Sequence, residues 1–501
     1  MLRQAVASHQ SGKLKPAARA YEKVLAQDPK NADATHLLGL IRLQTDDVDR
    51  AVTLLSAAVK LRPDNGVFRF NFALAQTAAG QGAAAVESYR ASLGINPANA
   101  AAVNNLAVLL GGEGDLDGAE AVLREGLSAN AGDAAMEINL ADVLCRKALP
   151  KNLREAEALC RRTIALTPDM AKAHAVLAQS MAIGDRREGA VAAIRRAAEL
   201  EPDNALYHEQ LADLLAKTGE DAGAAAARRA VELDSGRARA AGILAMALLG
   251  LGRAQEAIDW SLCALALDPH GREDSESTAA ANLYVAYLKD EQPEAAGDLV
   301  DLENLVYPHE IMAPSGFDSI AAFNSDLEAA IRGHASLQWN PSGYVTRSGA
   351  ITGNLLLGPS GIFGAMETAI RDGIDAFMAS LAHDPEHYFK RELTRRYRMV
   401  MWAVILDQEG YLKTHIHEGS WMSGAYYVSI PTFESGGEAH PGAIEFGRPS
   451  RHYEVDGDVE TRVVEPRNGR LVLFPAAMYH RTIPFKADSE RICISFNCFP
   501  Y

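Results

Sequence analysis

A proline that returns every 34 residues constrains this chain more than any other feature. Pro29, Pro63 and Pro97 keep that interval, three extra residues around Leu149-Pro150-Lys151-Asn152 shift its phase, and Pro168 and Pro202 resume it. Pro269 closes the series two intervals later. A fixed period of this length means one supersecondary unit used repeatedly, each copy burying its apolar face against its neighbours. Small residues recur in step: Leu38-Gly39, Ala51 and Ala58, then Ala73, Ala85 and Tyr89, then Leu106-Ala107 and Ala119. After the insertion, Leu177-Ala178, Ala190 and Ala197 repeat the pattern, as do Leu244-Ala245, Ala257 and Ala264. Bulk at such places would force apart two closely crossing helices. A non-repeating helical bundle has no reason to keep the period.

These residues resemble the tetratricopeptide (TPR) family over positions 1–270, in roughly eight units. The first unit is clipped and recovers the pattern at Gly12, Ala17 and Tyr21, and the unit around Ala224–Ser235 is degenerate. The resemblance implies an all-α superhelix whose groove holds a peptide or protein. Residues 271–309 are expected to form a capping helix, Thr278–Leu299, and a linker after the polar segment His270–Ser277.

Composition narrows the partners. A chain of 501 residues exceeds one ordinary core, so at least two domains are expected. A formal net charge of −16 argues against nucleic acid or an anionic membrane and suits a basic or neutral peptide. Cys145, Cys160, Cys263, Cys493 and Cys498 are scattered and lack CxxC spacing, which reads as reduced thiols. The N-terminus has no apolar run of signal-peptide length, and no stretch approaches the ~20 apolar residues that span a bilayer. The expectation is a soluble cytoplasmic protein without membrane contact.

From residue 310 the period changes. Helical spacing persists over Asp326–Arg332 and Gly361–Leu381; beyond Tyr397 the pattern is that of strands. Met399–Leu406, Tyr411–His417, Met422–Ile430, Ala443–Phe446, Glu460–Val464, Leu471–Phe474 and Arg491–Phe499 are the strand candidates. Gln408-Glu409-Gly410, Ser435-Gly436-Gly437 and Arg467-Asn468-Gly469 carry turn chemistry between them. Short strands with glycine-rich turns point to a sandwich or small barrel. Asn340-Pro341-Ser342-Gly343 and Gly358-Pro359-Ser360-Gly361 lack the ending of a phosphate loop and read as plain turns.

Three histidines and one arginine carry the chemistry. His415 and His417 lie two apart on a candidate strand, so their rings share one face about 6.6 Å apart. His480, after an apolar strand and a proline, is placed to bring a third imidazole from a second wall. Imidazole alone does not choose between iron, zinc, copper and nickel. Arg491 heads a strand whose alternate residues are Arg491, Cys493, Ser495 and Asn497, with Ile492, Ile494 and Phe496 opposite. A polar face of that kind lines a cavity, and a guanidinium there suits a carboxylate. Taken singly, each residue also fits a surface histidine or an ordinary salt bridge. Trp402 reads as core, and Trp421 equally as core or pocket wall.

The pattern H-x-H, S-G-x-Y-Y, G-x-L-V-L-F-P, H and R-I-x-I-S-F-N is similar to a bacterial branch of the Fe(II)/2-oxoglutarate-dependent oxygenases, over residues 310–501. The resemblance implies a double-stranded β-helix (jelly-roll or cupin-like) barrel with flanking helices. It implies Fe(II) held by His415, His417 and His480, and 2-oxoglutarate held by Arg491 with help from Ser495 and Tyr426 or Tyr427. O₂ would be the oxidant, and a peptide or protein docked by the repeats the hydroxylated substrate. Two departures stand out. His417 occupies the usual carboxylate position, so either three imidazoles or two and a water complete the site. Cys493, a weak donor, stands where many relatives have serine. Two alternatives remain: a cupin-type metalloenzyme without 2-oxoglutarate, whose second motif Gly469, Pro475 and His480 match, and a non-catalytic TPR adaptor.

Overall fold

The computed structural model describes the chain apart from residues 217–220, 272–274, 340–345, 359–360, 435–438, 452, 454, 456–457 and 501. The turns read at Asn340–Gly343, Pro359-Ser360 and Ser435-Gly436-Gly437 thus lie outside the described residues. Contact density divides the chain into two compact units, Met1–Pro202 and Asp203–Tyr501. The cut falls among the repeats, not at their end.

Met1–Pro202 is built of helical hairpins, for example Ala32–Gln44 with Val48–Leu61 and Gly66–Ala78 with Gly82–Ile95. Pro29, Pro63 and Pro97 each stand just after a helix, and two residues on an asparagine starts the next one. Asn31, Asn65 and Asn99 accept hydrogen bonds from first-turn amides, as does Asp133 where the proline is missing. Those amides have no partner within the helix, so the caps fix where each helix begins. The three-residue insertion lengthens one helix: Pro150–Leu166 has 17 residues where its counterpart Val48–Leu61 has 14. Proline is tolerated at the start of a helix because its missing N–H would be unpaired there anyway. Small residues do mark the crossings: a Cβ on Gly39 would lie 2.8 Å from Leu55 Cγ, and Ala51, Ala58 and Ala73 are fully buried.

Asp203–Tyr501 opens with more helices, among them Ala205–Leu215, Ala238–Gly250 and Ala254–Leu267. The single helix expected over Thr278–Leu299 is two, Glu276–Lys289 and Pro293–Val300, broken where Glu291 takes a left-handed φ of 54°. Among the described residues ten strands follow: β1 (Tyr307–Glu310), β2 (Gln338–Trp339), β3 (Thr346–Ile351), β4 (Tyr397–Leu412), β5 (Met422–Ser429), β6 (Ile444–Phe446), β7 (Arg462–Val464), β8 (Arg470–Pro475), β9 (His480–Thr482) and β10 (Arg491–Pro500). They form two antiparallel sheets, of order β1-β8-β5-β10-β4-β3-β2 and β7-β6-β9. Among the described residues the pairing closes no barrel. Helices Ile320–Arg332 and Gly361–Ser380 cover one face of the large sheet. Gly424 is needed in β5, since a Cβ there would meet Phe496 of β10 at 2.4 Å and the Val472 carbonyl of β8 at 2.7 Å.

Two strand assignments differ from the sequence reading. Gln408-Glu409-Gly410 is no turn, because β4 runs through it. The register against β3 jumps from Gly349–Leu406 to Arg347–Tyr411, so Asp407–Gly410 bulge out of the ladder. Tyr411–His417 is not a strand either: β4 ends at Leu412, and His415 makes an isolated antiparallel bridge with His480.

Three ties join the helix Glu276–Lys289 to the segments that flank the strands. Glu276 is buried between Arg391 and Arg395, each at 2.7 Å. The Tyr284 hydroxyl donates to the Gly447 carbonyl at 2.7 Å. The Gly419 amide, two residues beyond His417, donates to Ser277 Oγ at 3.0 Å. Among the described residues no helix is long and apolar enough to cross a membrane.

Candidate metal centre and anion pocket

His415 and His480 are held face to face by reciprocal backbone bonds, His415 N–H to the His480 carbonyl at 3.0 Å and the reverse at 3.1 Å. The His417 amide donates to the Ala476 carbonyl at 3.0 Å, which fixes the loop after β4 against the turn after β8. These bonds do the work that a continuous strand was expected to do. One nitrogen from each of the three rings lies within 4.8 Å of the others, and ring centroids are 4.3–5.1 Å apart. No carboxylate or thiol joins the cluster among the described residues. Glu418 lies in an exposed turn and is not part of the cluster.

The rings are set up as ligands. His415 Nδ1 lies 2.7 Å from the Lys413 carbonyl and His480 Nδ1 lies 3.0 Å from the Met478 carbonyl. A carbonyl only accepts, so each Nδ1 carries the proton and each Nε2 keeps its lone pair. Burial holds all three imidazoles below the usual histidine pKa, His417 and His480 well below, and for those two the neighbouring imidazoles add to the effect. They are neutral at pH 7, the form that binds a metal. Phe474 packs on His480 with ring centroids 4.6 Å apart.

The cluster opens into a cavity of about 480 Å³. Alternation along the strands places Val400, Trp402 and Val404 of β4, Tyr427 of β5, and Arg491, Cys493, Ser495 and Asn497 of β10 on its wall. The expected polar face of β10 thus faces a cavity, with Ile492, Ile494 and Phe496 fully buried behind it. Arg491 is 2% exposed. Its Cζ lies 4.9 Å over the Tyr427 ring, its Nη1 is 3.6 Å from Cys493 Sγ, and its Nε has no partner. No carboxylate pairs with it among the described residues, and none lines the cavity. The Tyr427 hydroxyl is also buried and unpartnered; burial pushes its pKa up to about 12, so it remains a neutral donor. A buried cation beside an unpaired donor is costly unless an anion joins them.

Other expected residues fall elsewhere. Tyr426 points to the opposite face and donates to Asn324 Oδ1 at 2.6 Å, as the strand alternation requires, so of the two tyrosines Tyr427 is the cavity residue. Ser495 is on the wall. Trp402, read as core, lines the cavity 6.1 Å from the His417 ring, because its register partner is Ser495. Trp421 is core, stacked on Phe389 at 5.6 Å. The sequence reading missed Thr352 and Asn354, which follow β3 and complete the wall. Their signal is weak, because neither belongs to a periodic segment.

Residues 400–497 match the family described as "Putative 2OG-Fe(II) oxygenase", and residues 8–69 and 76–144 match "Tetratricopeptide repeat". No curated protein matches the chain. Similar solved structures include a tetratricopeptide repeat protein from Parabacteroides merdae ATCC 43184, at 16% identity over 49% of this chain and 97% of that one, with a TM-score of 0.43. YrrB, described as a TPR protein with an unusual peptide-binding site, matches at 17% identity over 38% and 96%, with a TM-score of 0.33. The chain thus carries a tetratricopeptide repeat region within residues 8–144 and, over residues 400–497, a domain that matches the family "Putative 2OG-Fe(II) oxygenase".

Proposed function

We propose that Asp203–Tyr501 is an Fe(II)- and 2-oxoglutarate-dependent hydroxylase of double-stranded β-helix type, and that the repeats bring it a peptide or protein. The observation that carries this reading is the unpaired, buried Arg491 sharing one cavity with three neutral imidazoles. The residues fit the missing groups: an all-nitrogen donor set for the metal, and orphaned donors on Arg491 and Tyr427 for a carboxylate. A cavity of about 480 Å³ lies within the usual range for a small-molecule site.

His415, His417 and His480 would hold Fe(II), and the Lys413 and Met478 carbonyls on Nδ1 fix the ring orientations of His415 and His480. Arg491 binds the distal carboxylate of 2-oxoglutarate, Tyr427 donates to the same end and Ser495 lies along the chain of the co-substrate. Fe(II), 2-oxoglutarate and O₂ together would supply the oxidation of a C–H bond, the co-substrate leaving as succinate and CO₂. Trp402, Val400, Val404 and Phe474 keep water from the oxidised position. TPR repeats generally mediate peptide or protein interaction, which supports a macromolecular substrate.

The test is anaerobic loading of the full chain with Fe(II) and then 2-oxoglutarate. A weak visible charge-transfer band, lost in His480→Ala and weakened in Arg491→Ala, is expected. Metal binding without any band under saturating 2-oxoglutarate would remove the co-substrate from the proposal.

A further inference from the structure

The cavity has two chemically different ends. Arg491 and Tyr427 make one end a cluster of donors. Six residues along β10, about 20 Å of extended chain, stands Asn497. In the ladder Asn497 pairs with Val400 of β4 on one side and Ser423 of β5 on the other, and Ser423 pairs with Phe474 of β8. Phe474 is the residue that packs on His480. Asn497 therefore shares a cross-strand row with Phe474, the residue packed on His480, whereas Arg491 lies three alternate positions away. Its Oδ1 is buried, lines the cavity and has no hydrogen-bond partner.

A buried carbonyl without a donor costs about 1–3 kcal/mol, and such a cost persists where function uses the group. Oδ1 only accepts, so what completes it must carry an N–H or O–H. The charge of that group is also restricted. No carboxylate lines the cavity, which already holds the Arg491 guanidinium, so an ammonium would enter without compensation. We propose that Asn497 is a substrate-positioning residue that accepts a hydrogen bond from an uncharged amide or hydroxyl of the substrate. It would hold the neighbouring C–H bond at the histidine cluster, with Trp402 as the apolar wall beside it. This rests on the hydroxylase reading, since the group held there is the one next to the oxidised carbon.

The test needs neither iron nor 2-oxoglutarate, so its outcome is separate from that of the charge-transfer experiment. Four fluorinated probes are titrated against the full chain and followed by ¹⁹F line broadening: trifluoroacetamide, its N,N-dimethyl analogue, trifluoroethanol and trifluoroethylammonium. Trifluoroacetamide or trifluoroethanol should bind the native chain about tenfold more tightly than the dimethyl analogue or the ammonium, the worth of one hydrogen bond. Whichever of the two binds better separates an amide from a hydroxyl substrate. Asn497→Leu should remove the preference. Asn497→Asp should move it to the ammonium, which a merely structural residue would not do. Equal binding of all four probes, or a preference unchanged in both variants, would overturn the assignment.

Discussion

In Met1–Pro202 buried polar side chains are bonded to something. Glu137 receives Arg162 at 2.7 Å and Thr163 at 3.0 Å, Ser92 donates to the Gly66 carbonyl at 2.8 Å, and Ser180 to the Leu153 carbonyl at 3.1 Å. Among the described residues only Gln76 Oε1 in that unit is buried without a partner. Among the described residues of Asp203–Tyr501 eight carry such atoms, and three of them, Tyr427, Arg491 and Asn497, face a single cavity. The helical unit spends its polar groups on structure. The second unit keeps some unsatisfied where a ligand would complete them, which is how a binding site differs from a scaffold.

The most severe challenge to that contrast is Glu276→Ala. It leaves Arg391 without a carboxylate and Arg395 with only Glu392 at 3.5 Å, and should lower the stability of the second unit by about 3 kcal/mol. Calorimetry should show one transition falling and the repeat transition unmoved; a common shift of both would mean that the units do not melt separately. Arg491→Met sharpens the contrast from the other side. It should weaken 2-oxoglutarate binding about 10- to 100-fold by titration, the range expected for a charged hydrogen bond. Because it also removes an unpaired buried charge, the ligand-free protein should gain about 1 kcal/mol or more in denaturant unfolding. A loss of stability instead would make Arg491 a structural residue.

A pH effect belongs to the repeats. His36 is buried, stacked on Phe68 at 4.3 Å and 2.8 Å from the Asn71 amide, and burial pushes its pKa down to about 4, with Asp33 opposing. The unfolded chain takes up this proton near pH 6.5, before the folded one does. Stability is therefore full above pH 6.5 and falls as the pH drops toward 4, by on the order of 2 kcal/mol at about 1.4 kcal/mol per pH unit, reduced for residual solvent. His36→Leu should flatten that limb of the urea-unfolding profile. The smallest effect is expected at Glu155, which pairs with Arg124 in solvent at 2.8 Å. Glu155→Ala should change the repeat unit by less than about 1 kcal/mol, largely lost in high salt.

Much of the site was legible because it is written in alternation. Arg491, Cys493, Ser495 and Asn497 reach one face whatever surrounds β10, and His480 follows a strand whose end is marked by Pro475. The HxH geometry was not legible in the same way. The spacing suggested a strand, but His415 and His417 are placed by bonds to His480 and Ala476, residues more than fifty positions away. Trp402 was misread because its side of β4 depends on register with Ser495, and register is a property of two strands.

The sequence by itself determined the repeat, since a 34-residue period, its small residues and its asparagine caps act within a few dozen positions. It also determined the identity of the three imidazoles and the guanidinium. Only the tertiary structure decided that they share a cavity, that no carboxylate among the described residues shares it with them, and that the contact boundary falls at Pro202. Those outcomes depend on contacts between distant segments, such as Glu276 with Arg395 and Ser277 with Gly419, which have no local signature in the chain.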